Sequence, residues 1–73
     1  MYSVVGFKRV VAKKDGRLFF ELHLTSEDRF VTGLRTDCVF TAADNINDID
    51  KIVVGAVCMV VYDRNGRVAR VEF

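Results

Sequence analysis

The stretch that decides the fold is AVCMVVYDRNGRVARVEF, residues 56–73, which predicts a β-hairpin. Residues 56–62 and 67–73 are rich in valine, and residues 63–66 between them end in the Asn-Gly pair that is typical of tight hairpin turns. With Asp63 opposite Arg67, one side of the hairpin is wholly apolar and comprises Val57, Met59, Val61, Ala69, Val71 and Phe73. The other side, which includes Tyr62, is then expected to lie away from the core.

The first 25 residues predict a second hairpin. Residues 2–13 and 17–25 form strand-like runs, and the Asp15-Gly16 pair between them suits a type I turn that ends in a left-handed glycine. Lys13 is then expected opposite Arg17. Alternation in this register predicts a core side that comprises Gly6, Lys8, Val10, Ala12, Leu18, Phe20, Leu22 and Leu24. The predicted outer side is both basic and aromatic and comprises Phe7, Arg9, Val11, Lys13, Arg17, Phe19, Glu21 and His23.

Two further elements are predicted between the hairpins. Residues 34–41 alternate in a strand-like way, whereas residues 26–33 have no clear pattern. Residues 44–52 offer an Asp or Asn cap and two isoleucines three apart, Ile46 and Ile49, which predict a short helix. The resulting order, β-β-β-α-β-β, is that of the OB-fold, a five-stranded and partly open β-barrel. The helix favours this all-β fold over an SH3-like barrel, which is the main alternative.

Length and composition predict one small, non-enzymatic domain over residues 1–73. A chain of 73 residues buries only about 60–65% of the surface that its unfolded form exposes, which leaves little room for a catalytic cleft. No serine or cysteine stands in a recognisable catalytic motif with a histidine. The net charge of +1 lacks the basic excess of most nucleic-acid-binding domains, but the distribution of charge matters more than its sum.

Neither a metal site nor a cofactor is predicted. Cys38 and Cys58 do not have a metal-type spacing, and His23 is the only histidine. Asp44, Asp48 and Asp50 lack the pattern of a calcium loop. Both cysteines lie in apolar stretches, so we expect them to be reduced and the protein to be cytoplasmic. No apolar run approaches the roughly 18 residues of a membrane span, so no membrane partner is expected.

Residues 2–8 (YSVVGFK) and 54–68 (VGAVCMVVYDRNGRV) resemble the two ends of small OB-fold proteins carried by conjugative elements and phages. Members of that group are described as single-stranded DNA-binding proteins and are similar in style to the filamentous-phage gene V protein. Their closing hairpin has the form Val-Gly-x-x-Val-x-Val-x-Tyr-Asn/Asp-Arg-x-Gly-Arg/Lys-Val. The resemblance implies a cytoplasmic mobile-element protein that binds single-stranded DNA without reading its sequence.

The basic and aromatic outer side is the predicted binding site. Proteins that bind single strands combine a basic groove with aromatic rings on which bases stack. We therefore predict Phe7 and Phe19 as stacking platforms, with His23 adding to them. The predicted phosphate contacts are Arg9, Arg17, Arg35 and Arg64.

Different interpretations of the same residues stay open. Because 51% of the chain is hydrophobic, the outer aromatic side chains could instead cover a homodimer or partner interface. Phe19 could also belong to the core, and Arg9 with Glu21 could form an ordinary cross-strand ion pair. The alternative function is thus a small β-barrel interaction or oligomerisation module that binds no nucleic acid. The predicted partners are single-stranded DNA and a second copy of the chain, as a homodimer or other oligomer.

Overall fold

The computed structural model describes residues 1–73 and is built on one antiparallel sheet of five strands. The strands are β1 (Tyr2–Val11), β2 (Leu18–Glu27), β3 (Leu34–Ala42), β4 (Val57–Tyr62) and β5 (Val68–Glu72). Their order across the sheet is β3-β2-β1-β4-β5, so β1 pairs with both β2 and β4. The predicted number and chain order of strands are confirmed, but the sheet does not close into a barrel, because β3 and β5 form no ladder.

The prediction of a helix over residues 44–52 is wrong, because two short 3-10 turns, Ala43–Asn45 and Ile49–Lys51, lie there instead. Between them the backbone pairs with β5. Ile46 and Val71 form a parallel bridge, and the Asn47 amide donates a 3.1 Å hydrogen bond to the Val71 carbonyl. This tertiary pairing uses backbone groups that a continuous helix would need, and it overrides the local helical signal. Neither turn has the length or hydropathy that crossing a membrane requires.

The first hairpin differs by one residue from the predicted register. The Ala12 amide donates to the Arg17 carbonyl at 2.9 Å, and the Gly16 amide donates to the Ala12 carbonyl at 2.8 Å. Ala12, not Lys13, therefore lies opposite Arg17. Gly16 has a φ of +73°, so its predicted left-handed conformation is confirmed.

This shift exchanges the two sides of β1. Phe7 lies opposite Leu22 and Arg9 opposite Phe20, so both share the core side of the sheet instead of the predicted outer side. A bulge at Val5 shifts the register by one more residue toward the N-terminal end of β1 and brings Val4 opposite Leu24, on the core side. Val4 is therefore buried at the point where β1 turns toward β4.

The second hairpin has the predicted turn but not the predicted sides. The Asp63 amide donates to the Arg67 carbonyl at 2.8 Å, and the Asp63 carboxylate accepts from the amides of Asn65 and Arg67 at 2.8 and 3.0 Å. Ala69, however, is bulged out, which places Val60 opposite Val71 and Val61 opposite Arg70. The side predicted to be wholly apolar is thus split: its β5 member Val71 is buried, but Val57 and Met59 are exposed. Cys58 is buried, and Tyr62 lies on the same side of β4, although it is half exposed at the strand end.

The core lies between the β1–β2–β3 part of the sheet and the β4–β5 hairpin. It comprises Val4, Phe20, Leu22, Leu24, Val39, Ile46, Ile52, Cys58 and Val71. The three members from β2 confirm the predicted core side of that strand. The connection after β3 contributes two isoleucines, which cover the core where β3 and β5 do not pair.

We expect Leu22→Ala to lower the free energy of unfolding by about 2–5 kcal/mol, because Leu22 is fully buried and its truncation leaves a cavity in the core. Urea denaturation measures this change. The matched control is Leu34→Ala in β3, where the side chain is 57% exposed and the change should stay within about 0.5 kcal/mol. Equal losses for the two variants would contradict the sidedness of the sheet.

Candidate nucleic-acid interface

The outer face is the side of β1, β2 and β3 that points away from the core. Its members are Lys8, Val10, Arg17, Phe19, Glu21, His23, Thr25, Thr36, Cys38 and Phe40. Side chains alternate along β2, so burial of Phe20 and Leu22 directs their neighbours Phe19, Glu21 and His23 outward. The β2–β3 register then sets Glu21 opposite Phe40 and His23 opposite Cys38.

The outer face carries a stacked aromatic pair. The ring centroids of Phe19 and Phe40 are 5.3 Å apart, and the ring planes differ by only 6°. Phe19 lies opposite Ala42, whose small side chain leaves room for the diagonal neighbour Phe40 to reach the Phe19 ring. Phe40 is 56% exposed, so the pair presents an aromatic surface to solvent.

Arg17 extends this aromatic surface with a positive charge. Its guanidinium carbon lies 5.4 Å from the Phe19 ring centroid, within the range of a cation–π contact. The guanidinium forms an ion pair with Asp44 at 3.9 Å, and both side chains are more than half exposed. An exposed pair at this distance contributes little, so Arg17 can exchange Asp44 for another anion.

The centre of the outer face carries charges of both signs. Glu21 lies opposite Lys8 on β1, and the His23 Nε2–H group donates a 3.0 Å hydrogen bond to the Glu21 carboxylate. Cys38 is exposed beside them. The thiol sulfur, an imidazole nitrogen and a carboxylate oxygen all lie within 4.8 Å of one another.

Only some of the predicted site residues lie together. Arg17, Phe19 and His23 share the outer face, as predicted. Phe7 and Arg9 lie on the opposite side of the sheet, where the Arg9 guanidinium is 6.0 Å from the Phe20 ring centroid.

The two remaining predicted arginines lie apart from this group. Arg35 shares the core side of the sheet at the end of β3, because it lies opposite Ser26, and its guanidinium pairs with Asp28 at 3.8 Å and Asp37 at 3.3 Å. Arg64 is exposed in the β4–β5 turn.

Tyr62 and its surroundings form a separate polar group at the sheet end that carries Arg35. Burial raises the pKa of the Tyr62 hydroxyl above its ordinary value, with further increases from the neighbouring Tyr2 and Asp37 and an opposing effect from Arg35. A tyrosine with a raised pKa keeps its proton at neutral pH. Tyr62 therefore offers a hydrogen-bond donor there, and not a base.

Sequence reasoning missed Phe40 and the grouping of Glu21, His23 and Cys38. The alternation of residues 34–41 shows that Phe40 and Cys38 share a side, but not which strand lies beside them. The unassigned loop, residues 26–33, left the β2–β3 register open. The prediction of no metal site relied on spacing along the chain, which does not detect donors that meet across two strands.

No family model, curated protein or solved structure matches the chain. The likeness of residues 2–8 and 54–68 to small single-stranded DNA-binding proteins therefore stays a prediction.

We expect the two cysteines to differ sharply in reactivity toward a thiol reagent such as Ellman's reagent. Cys38 is exposed, whereas Cys58 is fully buried and its burial raises the pKa of the thiol, which disfavours the reactive thiolate. One thiol should react in the native protein and the second only after denaturation. In Cys38→Ser the native reaction should disappear, and its persistence would contradict the burial of Cys58.

Proposed function

We propose that the chain is a non-enzymatic module that binds single-stranded DNA on its outer face without reading sequence. The observation that carries this proposal is the stacked, solvent-facing pair of Phe19 and Phe40 with the Arg17 guanidinium over one ring. Every nucleobase has a π-face, so an exposed aromatic surface beside a positive charge suits single strands of any sequence. Base and phosphate can then be bound by neighbouring side chains.

We further propose that the sheet is an OB-type barrel in which the segment after β3 takes the place of the missing β3–β5 ladder. The order β3-β2-β1-β4-β5, with β1 shared between β2 and β4, supports this assignment. So does the parallel bridge from Ile46 to Val71, which joins the end of β3 to the free edge of β5. OB-folds bind oligonucleotides on β2 and β3 and on the β1–β2 and β4–β5 turns, and the proposed site lies on β2 and β3.

The charges around the stacked pair are consistent with modest, salt-sensitive affinity. Lys13 and Lys14 lie in the β1–β2 turn just before Arg17, and Lys8 lies on the outer face, so this face and the adjoining turn carry several cations. Glu21 opposes them. For single strands the logarithm of the binding constant falls by about 0.7 per phosphate contact for each decade of salt, so a few contacts give a shallow but measurable slope.

We expect Phe40→Ala to weaken binding of a fluorescein-labelled dT oligonucleotide by about 5- to 150-fold, the range that corresponds to the roughly 1–3 kcal/mol contributed by one stacked base. Fluorescence anisotropy at low and at physiological salt measures this loss. Arg17→Gln should weaken binding and also reduce the salt slope, because it removes a phosphate contact.

Two matched substitutions serve as controls. Phe7→Ala makes the same change at a 40% exposed phenylalanine on the opposite side of the sheet, and Arg35→Gln removes an arginine already paired with Asp28 and Asp37. Both should leave the affinity unchanged. The proposal fails if the wild-type protein does not bind at low salt, or if the controls weaken binding as much as the outer-face variants.

A second candidate function is protein interaction, including homodimer formation, through the outer side of β4. Val57 and Met59 are each about half exposed there, and Val53 and Val54 just before the strand are more exposed still. Clustered apolar side chains of this kind are typical of surfaces that contact another protein. In the sheet, β1 lies between β4 and the two strands that carry the aromatic pair, so the two surfaces do not share a strand and the two functions are compatible.

We expect Met59→Glu to convert an oligomer into a monomer if β4 forms the contact between copies, because the new charge would be buried in an apolar interface. Size-exclusion chromatography with light scattering measures the mass. Phe30→Glu, at an 84% exposed position in the β2–β3 loop, is the matched control and should leave the mass unchanged. A wild-type protein that is already monomeric would rule out homodimer formation through β4.

A further inference from the structure

Three side chains that the proposed DNA contacts do not require form a compact donor cluster. Glu21 and His23 are two residues apart on β2, so both side chains lie on the outer face. Cys38 is the direct cross-strand partner of His23 on β3. Their ligand atoms all lie within 4.8 Å of one another, and Glu21 Oε2 and His23 Nε2 are 3.0 Å apart.

We propose that Glu21, His23 and Cys38 bind a Zn²⁺-type transition-metal ion. Thiolate, imidazole and carboxylate are the three side-chain ligands that Zn²⁺ uses in proteins. A sulfur donor argues against Mg²⁺ and Ca²⁺, which take oxygen ligands. Three protein ligands leave the fourth tetrahedral position for water or a bound ligand.

The donor distances are compatible with this metal after small side-chain rotations. Zn–S bonds of about 2.3 Å and Zn–N or Zn–O bonds of about 2.0–2.2 Å place tetrahedral donors roughly 3.3–3.6 Å apart. The 3.0 Å separation of Glu21 and His23 is that of a shared proton. A metal ion replaces this proton and widens the gap slightly, while the Cys38 sulfur moves inward by up to about 1.2 Å from its present limit of 4.8 Å.

The backbone supports the cluster and leaves it open to an ion. Paired strands hold the three Cα positions in place, so binding requires only side-chain torsions. Gly6 lies opposite His23, and even a Cβ there would be 3.9 Å from the His23 ring, so no side chain at the position directly opposite covers the imidazole. On the other side a surface depression lined by Val5, Thr36 and Asp37 reaches His23 and Cys38.

Direct metal titration tests the site. The reduced protein, freed of metal by a chelator, is titrated with Zn²⁺ by calorimetry and with Co²⁺ by absorption spectroscopy. We expect one ion per chain and a thiolate-to-Co²⁺ charge-transfer band. Cys38→Ser should abolish that band even though Cys58 remains, because Cys58 is buried away from solvent.

Glu21→Gln should weaken Zn²⁺ binding by at least about 10- to 100-fold. Removing a group that only hydrogen-bonds to a metal ligand already weakens metal binding by that factor, and Glu21 is itself a proposed ligand. The matched control is Glu27→Gln, which neutralises an exposed carboxylate on the same strand outside the cluster and should leave affinity unchanged. Far-UV circular dichroism confirms that each variant is folded. The proposal is overturned if no charge-transfer band forms in the folded wild-type protein, or if the band survives Cys38→Ser.

Discussion

The constraint on which the structure depends is the burial of one side of β2. Phe20, Leu22 and Leu24 are all but inaccessible to solvent, and they form the centre of the core. Because successive side chains of a strand point to opposite sides, this burial directs Phe19, Glu21 and His23 outward together. A slip of one residue would expose three large apolar side chains and bury a carboxylate, so the register of β2 is strongly determined. Both the aromatic pair and the donor cluster follow from it.

The first strand connects this arrangement to the other hairpin, and its bulge makes the connection possible. On the N-terminal side of Val5, the strand pairs with β4 through Tyr2 and Ser3, whereas on the C-terminal side it pairs with β2 alone. The Val4 amide also donates a hydrogen bond to the Ala56 carbonyl, and the Gly55 amide donates one to the Val4 carbonyl, each at 2.8 Å. These two bonds hold the segment before β4 against β1. On the C-terminal side of the bulge, β4 does not pair with β1, so the core side of β1 is less covered there. Phe7 and Arg9 are therefore exposed although they share a side with Leu22 and Phe20.

Local signals predicted the strands, the left-handed turn glycines Gly16 and Gly66 (φ of +73° and +79°) and the core side of β2, because each depends on residues close in sequence. The failures all come from single-residue insertions or from distant pairing. One further residue in the first turn moved Phe7 and Arg9 across the sheet, and the bulge at Ala69 exposed Met59. The helix was lost to the pairing of Ile46 with Val71, which no local pattern reports. Phe40 and Cys38 were not predicted as site residues, because only the pairing of β2 with β3 makes them neighbours of Phe19 and His23.

The two proposals meet at Glu21. Without a bound metal ion, its negative charge at the centre of the outer face repels phosphate, and it lies directly opposite Phe40, the more exposed of the two stacked rings. A Zn²⁺ ion bound by one thiolate and one carboxylate is electrically neutral as a cluster, so metal binding would remove the negative charge of Glu21 from the face. The open fourth position of such an ion would also accept a phosphate oxygen. Glu21 is thus the residue that most weakens the outer face as a nucleic-acid site, and a metal ion bound to it would strengthen that site. The exposed ring of Phe40 would remain free to stack on a base.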